Sequence, residues 1–178
     1  MSHLSIALRA GTAAALMASF ACLGSAAASA DPTTTTTTTS NSPDVTPLAA
    51  SLSKGYSLNN CSPQDVTGSQ LAALTCGPSS DSSGPAQAKY VLLSGPADLA
   101  GSFKASIKDD TLTSCGDSQS PTTWHQGSAT ASGGTVACGT YQGAAEIIWT
   151  IDAKNILAYV RASNNDVSAL YQWWRTNG

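Results

Sequence analysis

The chain is poor in the side chains that most catalytic sites need. Its 178 residues include two histidines, His3 and His125, and a single glutamate, Glu146. No G-x-S-x-G elbow, H-E-x-x-H pair or glycine-rich phosphate loop occurs. The usual marks of α/β-hydrolases, zinc proteases and P-loop enzymes are therefore missing. Charge is scarce too: charged residues make up 11% of the sequence and leave a formal −3 at pH 7. Beyond Arg9 the basic residues are Lys54, Lys89, Lys104, Lys108, Lys154, Arg161 and Arg175, and they form no cluster. Nucleic acid requires a basic footprint that displaces counterions, so no nucleic-acid partner is expected. An anionic membrane surface is disfavoured for the same reason. No two cysteines have C-x-x-C spacing, which argues against a zinc site, and no metal or other cofactor is expected.

The N-terminus has what a secretory leader needs. Arg9 supplies a positive start, and no charge follows from Gly11 to Ala30. Ala13, Leu16, Met17, Phe20 and Leu23 form the apolar stretch, and Ala28-Ser29-Ala30 fits the small-residue pattern before a cut. Cleavage is expected between Ala30 and Asp31. A membrane anchor would want about 20 strongly apolar residues with polar anchors at both ends, and this Ala-rich segment lacks both. A lipid-anchored reading would use Cys22, but bulky Phe20 stands where a lipobox prefers small residues. No second apolar span exists, so no transmembrane anchor is expected after cleavage.

Loss of the leader leaves 148 residues, enough for one domain with its own core. It also leaves four cysteines: Cys61, Cys76, Cys115 and Cys138. An even count in an exported chain reads as two disulfides. Three pairings are open; Cys61–Cys76 and Cys115–Cys138 are favoured, because each pair brackets a short segment rich in turn residues. Residues 31–47 hold the threonine run Thr33–Thr39 and the prolines Pro32, Pro43 and Pro47. Such a segment has almost nothing to bury and reads as a disordered Thr/Pro-rich linker suited to O-glycosylation. The single folded domain is expected over 48–178.

Within that domain the periodicity alternates between two and 3.6. Leu71–Cys76 and Lys89–Ser94 read as strands, separated by a long exposed turn from Gly77 to Pro85. Pro96-Ala97-Asp98 opens a helix whose Leu99, Phe103 and Ile107 share one face. A short strand is expected at Thr123–His125, a turn at Ser132-Gly133-Gly134, and a strand from Thr135 to Cys138. Ala145–Asp152 alternates most clearly, with Ile147, Trp149 and Ile151 on one side and Glu146, Ile148 and Thr150 on the other. After a turn at Asp152–Asn155, Ile156–Ala162 returns. Asn164-Asn165-Asp166 can cap a last helix with Val167, Leu170, Tyr171 and Trp174 on one face. Short connections require antiparallel pairing. The expected fold is α+β: an antiparallel sheet with two helices packed on one face and two disulfides. Cys76-Gly77 and Cys138-Gly139, each followed by strand and then helix, suggest a faint internal duplication.

Few residues stand out as chemistry. His125 is the one histidine past the leader, and a Ser–His hydrolase would need it as base. Asp109-Asp110 are adjacent and are expected to diverge rather than converge on a substrate, so no carboxylate pair for glycosidic chemistry is expected. Four tryptophans lie in the domain. Trp149 and Trp174 fit core positions. Trp124 and Trp173 are less committed, and an exposed indole can stack on a sugar or anchor a partner. Trp124, His125 and Trp173 are thus the candidate ligand contacts, and no catalytic residue is assigned.

Leu74-Thr75-Cys76, Tyr90-Val91-Leu92-Leu93, the Leu99/Phe103 helix, Cys115, Trp124, Val136-Ala137-Cys138, Glu146-Ile147-Ile148-Trp149-Thr150 and Leu170-Tyr171-Gln172-Trp173-Trp174 form a recurring pattern. Together they resemble the extracytoplasmic four-cysteine domain of actinobacterial serine/threonine kinases and of related small secreted or lipid-anchored envelope proteins. The likeness spans about Tyr56 to Trp174. It implies a sensor-like module that binds an unidentified envelope ligand or protein, and it supplies no catalytic residues. The chain departs from the kinases in having no kinase domain. Two other expectations remain beside this one: an inhibitor or host-facing effector using the Gly77–Pro85 loop, and a hydrolase centred on His125.

Overall fold

A computed structural model describes residues 45–178; the leader, its expected cut between Ala30 and Asp31, and residues 31–44 lie outside the described part. The first element is a short helix, α1 (Val45–Ala49), whose Leu48 is fully buried. Order thus begins at least three residues ahead of the boundary expected at 48, because Leu48 needs its own turn of backbone to reach the core.

Eight strands follow in one antiparallel sheet: β1 (Cys61–Pro63), β2 (Gln70–Cys76), β3 (Gln87–Leu93), β4 (Thr111–Thr113), β5 (Thr122–His125), β6 (Ser132–Tyr141), β7 (Ala144–Ile151) and β8 (Ile156–Arg161). Their order across the sheet is β1-β2-β3-β8-β7-β6, with β4 and β5 pairing in tandem along the outer side of β6. Two longer helices complete the chain: α2 (Pro96–Ser106) between β3 and β4, and α3 (Val167–Asn177) after β8.

Local chemistry sets these limits. Pro96 sits in the first turn of α2, where its missing N–H takes no hydrogen bond away. Asp166 caps α3, its Oδ1 accepting from the Ala169 N–H at 2.9 Å. Gln142 and Gly143 both have positive φ, as a two-residue hairpin joining β6 and β7 demands. Asn155 takes a left-handed conformation and ends the 3-10 turn before β8.

The central strands bury both faces. On one side Tyr90, Ile147, Trp149, Ala158 and Val160 pack with Leu48 and with Leu170, Trp173 and Trp174 of α3. On the other, Val91, Ala137, Ile148 and Leu157 pack with Leu99 and Phe103 of α2. The two long helices therefore lie on opposite faces, which corrects the expectation of one helical layer; α3 shares its face with α1 instead. Because Val91, Ile148 and Leu157 alternate with Tyr90, Ile147 and Ala158, a single layer would leave one apolar face in water.

This placement also rules out the internal duplication. The meanders β1-β2-β3 and β6-β7-β8 meet at an antiparallel β3–β8 pair. Only a twofold axis perpendicular to the sheet exchanges two such strands, and it would put both following helices on the same face.

The disulfides are Cys61–Cys76 and Cys115–Cys138. The first joins directly paired residues of β1 and β2; the second ties the loop after β4 to the middle of β6. They close separations of 15 and 23 residues, worth roughly 3 kcal/mol each by restricting the unfolded chain.

Candidate functional site

An aromatic concavity is lined by β5 and the end of α3. The segment Ser132-Gly133-Gly134, expected to turn, instead belongs to β6 and carries a register shift opposite Trp124 and His125. Gly134 has φ of 152°, and a Cβ there would fall 2.2 Å from the Thr150 carbonyl oxygen. Glycine thus lets β6 pass against β7 at this point. Gly133 plays a related part: a Cβ would fall 2.6–2.8 Å from three atoms of the Trp124 ring, which rests on the bare backbone.

Trp124 is held firmly. Its Nε1 donates to the Thr150 carbonyl at 2.8 Å. Thr150 is buried, and its hydroxyl accepts from the Thr135 N–H at 2.9 Å and donates to Asp152 at 2.6 Å. The Trp124 ring meets Trp174 edge-on, with centroids 5.9 Å apart. Trp174 in turn stacks on Tyr171 at 5.6 Å and meets Trp149 edge-on at 5.8 Å. Such pairs add about 0.5–1.5 kcal/mol each beyond area burial.

A cleft of about 370 Å³ opens beside these rings, lined among others by Trp124, His125, Gln126, Tyr171, Trp174 and Arg175. That volume lies within the usual range for small-molecule sites. Trp174 contributes an indole N–H that is buried and has no hydrogen-bond partner, the one such buried side-chain atom among the described residues.

The expected site residues separate here. Trp124 and His125 share the cleft. His125 is exposed, and its Nδ1 lies 3.1 Å from the Ala131 carbonyl oxygen. Among the described residues no serine or carboxylate hydrogen-bonds that ring. Trp173 does not line the cleft and its indole is tied to the Gly77–Pro85 loop, so the structure does not bring it together with Trp124 and His125. Its Nε1 donates to Asp81 Oδ2 at 3.0 Å, and Tyr56 meets its ring edge-on at 6.2 Å.

The same bond ties down the Gly77–Pro85 loop, most of whose residues are exposed. The Ser80 N–H donates to the Gly55 carbonyl, and the Ser79 N–H to that of Pro85. Hydrogen bonds from the Ser83 amide and hydroxyl, and then from the Trp173 indole, hold the Asp81 carboxyl below its ordinary range.

Sequence reasoning missed a second grouping. Asp109 and Asp110, expected to diverge from any common target, line one cavity with Glu146 on the α2 face. Glu146 is brought there by β7 and the two aspartates by the turn after α2. The outward side of the β7 alternation was the available signal, since it puts Glu146 next to buried Ile148.

No known protein family, curated protein or solved structure matches the chain. Among the described residues, no helix is long and apolar enough to cross a membrane, and no three His, Cys, Asp or Glu side chains are grouped to hold a metal ion.

Proposed function

We propose that the protein is an extracytoplasmic binding module of the cell envelope, and that the cleft beside Trp124 and Trp174 takes one sugar ring of an envelope glycan. The leader over 1–30 delivers the domain across the membrane, and the Thr/Pro-rich stretch spaces it from the cut. Both disulfides suit an oxidising compartment.

One observation carries the ligand reading: a cleft of about 370 Å³ whose walls join the rings of Trp124, Tyr171 and Trp174 to the polar side chains of His125, Gln126 and Arg175. The indole and phenol rings offer apolar surface to the C–H face of a sugar. His125, Gln126 and Arg175 offer side-chain groups for its hydroxyls. The resemblance to sensor domains of envelope kinases points to binding over catalysis, in line with the isolated His125.

Tryptophan fluorescence titration with oligosaccharides released from bacterial envelope tests this. Saturable quenching is expected, weakened at least about tenfold by Trp124→Ala and by Arg175→Ala, a loss of roughly 1.4 kcal/mol. Equal affinity in both variants and the wild type removes the cleft as the site.

A further inference from the structure

The opposite face of the sheet holds a cavity of different chemistry. It measures about 230 Å³ and lies between the end of α2 and the strands β6 to β8. Asp109, Asp110, Glu146, Tyr141 and Tyr159 line it. Burial deepens inward, from exposed Asp109 through half-buried Asp110 to Glu146, which is 8% exposed.

Glu146 is unpartnered. Among the described residues no donor lies within hydrogen-bond distance of its carboxyl, and no ion pair includes it. Arg161 is its direct cross-strand neighbour, yet that guanidinium is engaged elsewhere. Its Nη2 donates to the Tyr141 carbonyl at 2.9 Å, and it lies 5.4 Å from the centre of the Tyr141 ring. The Glu146 oxygens are not sealed off, since Trp174 Nε1 is the one buried side-chain atom without a partner among the described residues; they remain open to the cavity, where a mostly buried carboxyl is costly unless something meets its charge.

We propose that this cavity binds the head group of a small organic cation, a primary or substituted ammonium, with Glu146 as its counter-ion and Asp110 as a second carboxylate at the mouth. Each step of the exclusion rests on the lining. Three carboxyl groups against one committed guanidinium repel anions. A divalent metal needs several ligands at once, and no suitable group of three exists among the described residues. The volume falls below the roughly 300 Å³ where drug-sized sites begin, so the cavity is sized for a head group, and the rest of a larger molecule would extend into solvent. The Tyr159 ring beside Glu146 adds a face to which an ammonium is attracted.

The charged and titratable groups facing Glu146 are Asp110 and Asp109 from the turn after α2, Arg161 and Tyr159 from β8, and Tyr141 from β6. Burial first, and Asp110 second, push Glu146 up to about 7, while Arg161 opposes them. Binding an ammonium favours the ionised carboxylate, so the Glu146 proton passes to solvent as the cation enters. Affinity must then rise with pH until Glu146 is already ionised.

The test is calorimetric titration of the full protein with propylammonium chloride. Sodium propionate and calcium chloride at equal ionic strength serve as controls. Saturable binding of propylammonium alone is expected, about tenfold tighter at pH 8 than at pH 6. Glu146→Gln and Asp110→Asn should each weaken it at least about tenfold, while Trp124→Ala leaves it unchanged. Since Asp110 is only half-buried, its variant keeps the experiment decisive if the Glu146 variant folds poorly. Three results overturn the assignment: no saturation by propylammonium at pH 8, unchanged affinity in Asp110→Asn, or calcium binding at the same site. The Trp124 variant keeps this outcome separate from the fate of the glycan cleft.

Discussion

Glu146→Gln should remove a pH dependence of stability. In the folded protein the Glu146 carboxyl titrates at about 7, against 4.5 for an unperturbed glutamate, chiefly because it is buried and then because Asp110 repels its charge. A folded-state value above the unfolded one means that folding favours the protonated form. The stabilising contribution is complete below about pH 4.5 and is lost as pH rises through 7. The interval corresponds to roughly 3 kcal/mol between the two protonation states. Water entering the open cavity screens the ionised form, so about 1–2 kcal/mol is the expected fall in unfolding free energy from pH 5 to pH 8. Asp110 is raised as well, by burial and by Asp109, and works in the same direction. Asp81 is held low, so its opposite effect falls at more acid pH. The tyrosines whose hydroxyls are pushed up ionise above the window. Urea unfolding at pH 5, 6, 7 and 8, followed by tryptophan fluorescence with the disulfides intact, gives the slope directly. The wild type should lose stability across this range, and Glu146→Gln should flatten most of the loss. A variant that keeps the full wild-type slope would falsify the assignment of that slope to Glu146.

Two further changes probe the parts that hold the aromatic cleft and the loop. Gly134→Ala puts a Cβ 2.2 Å from the Thr150 carbonyl oxygen at a φ that L residues avoid; a loss of about 3 kcal/mol or more is expected in urea unfolding, and a loss under 1 kcal/mol would mean the two strands are not so close. Trp173→Phe keeps most of the ring packing but removes the bond to exposed Asp81, so global stability should change little while proteolytic nicking inside Gly77–Pro85 becomes faster. An unchanged nicking rate would show that Asp81 does not hold that loop.

Much of the fold was legible because period-two and period-3.6 patterns are local. Ile147, Trp149 and Ile151 marked β7, Leu99 and Phe103 marked α2, and Asp166 marked the start of α3. The cysteine pairing was legible as well, since short loops with turn residues bring their own ends together. Of the cleft, Trp124 and His125 were legible as adjacent candidates without a core role. Tyr171 and Trp174 had been read as core and turned out to be wall and core at once. Arg175 gave no signal, because a lone cation on a helix is ordinary surface.

What remained was decided by contacts between distant segments. Alternation says that a strand has two faces, yet it cannot say which helix covers which face; that depended on where the chain crosses after β3 and after β8. Trp173 looked free on the helical wheel and is enclosed because the loop from Gly77 to Pro85 folds onto it. Glu146 and the pair Asp109-Asp110 looked unrelated and share one cavity because β7 and the end of α2 meet there. Local pattern is set by backbone geometry, which every residue carries with it. Burial, and with it the charge state of Glu146 and the unmet N–H of Trp174, exists only once remote parts of the chain exclude water from the same place.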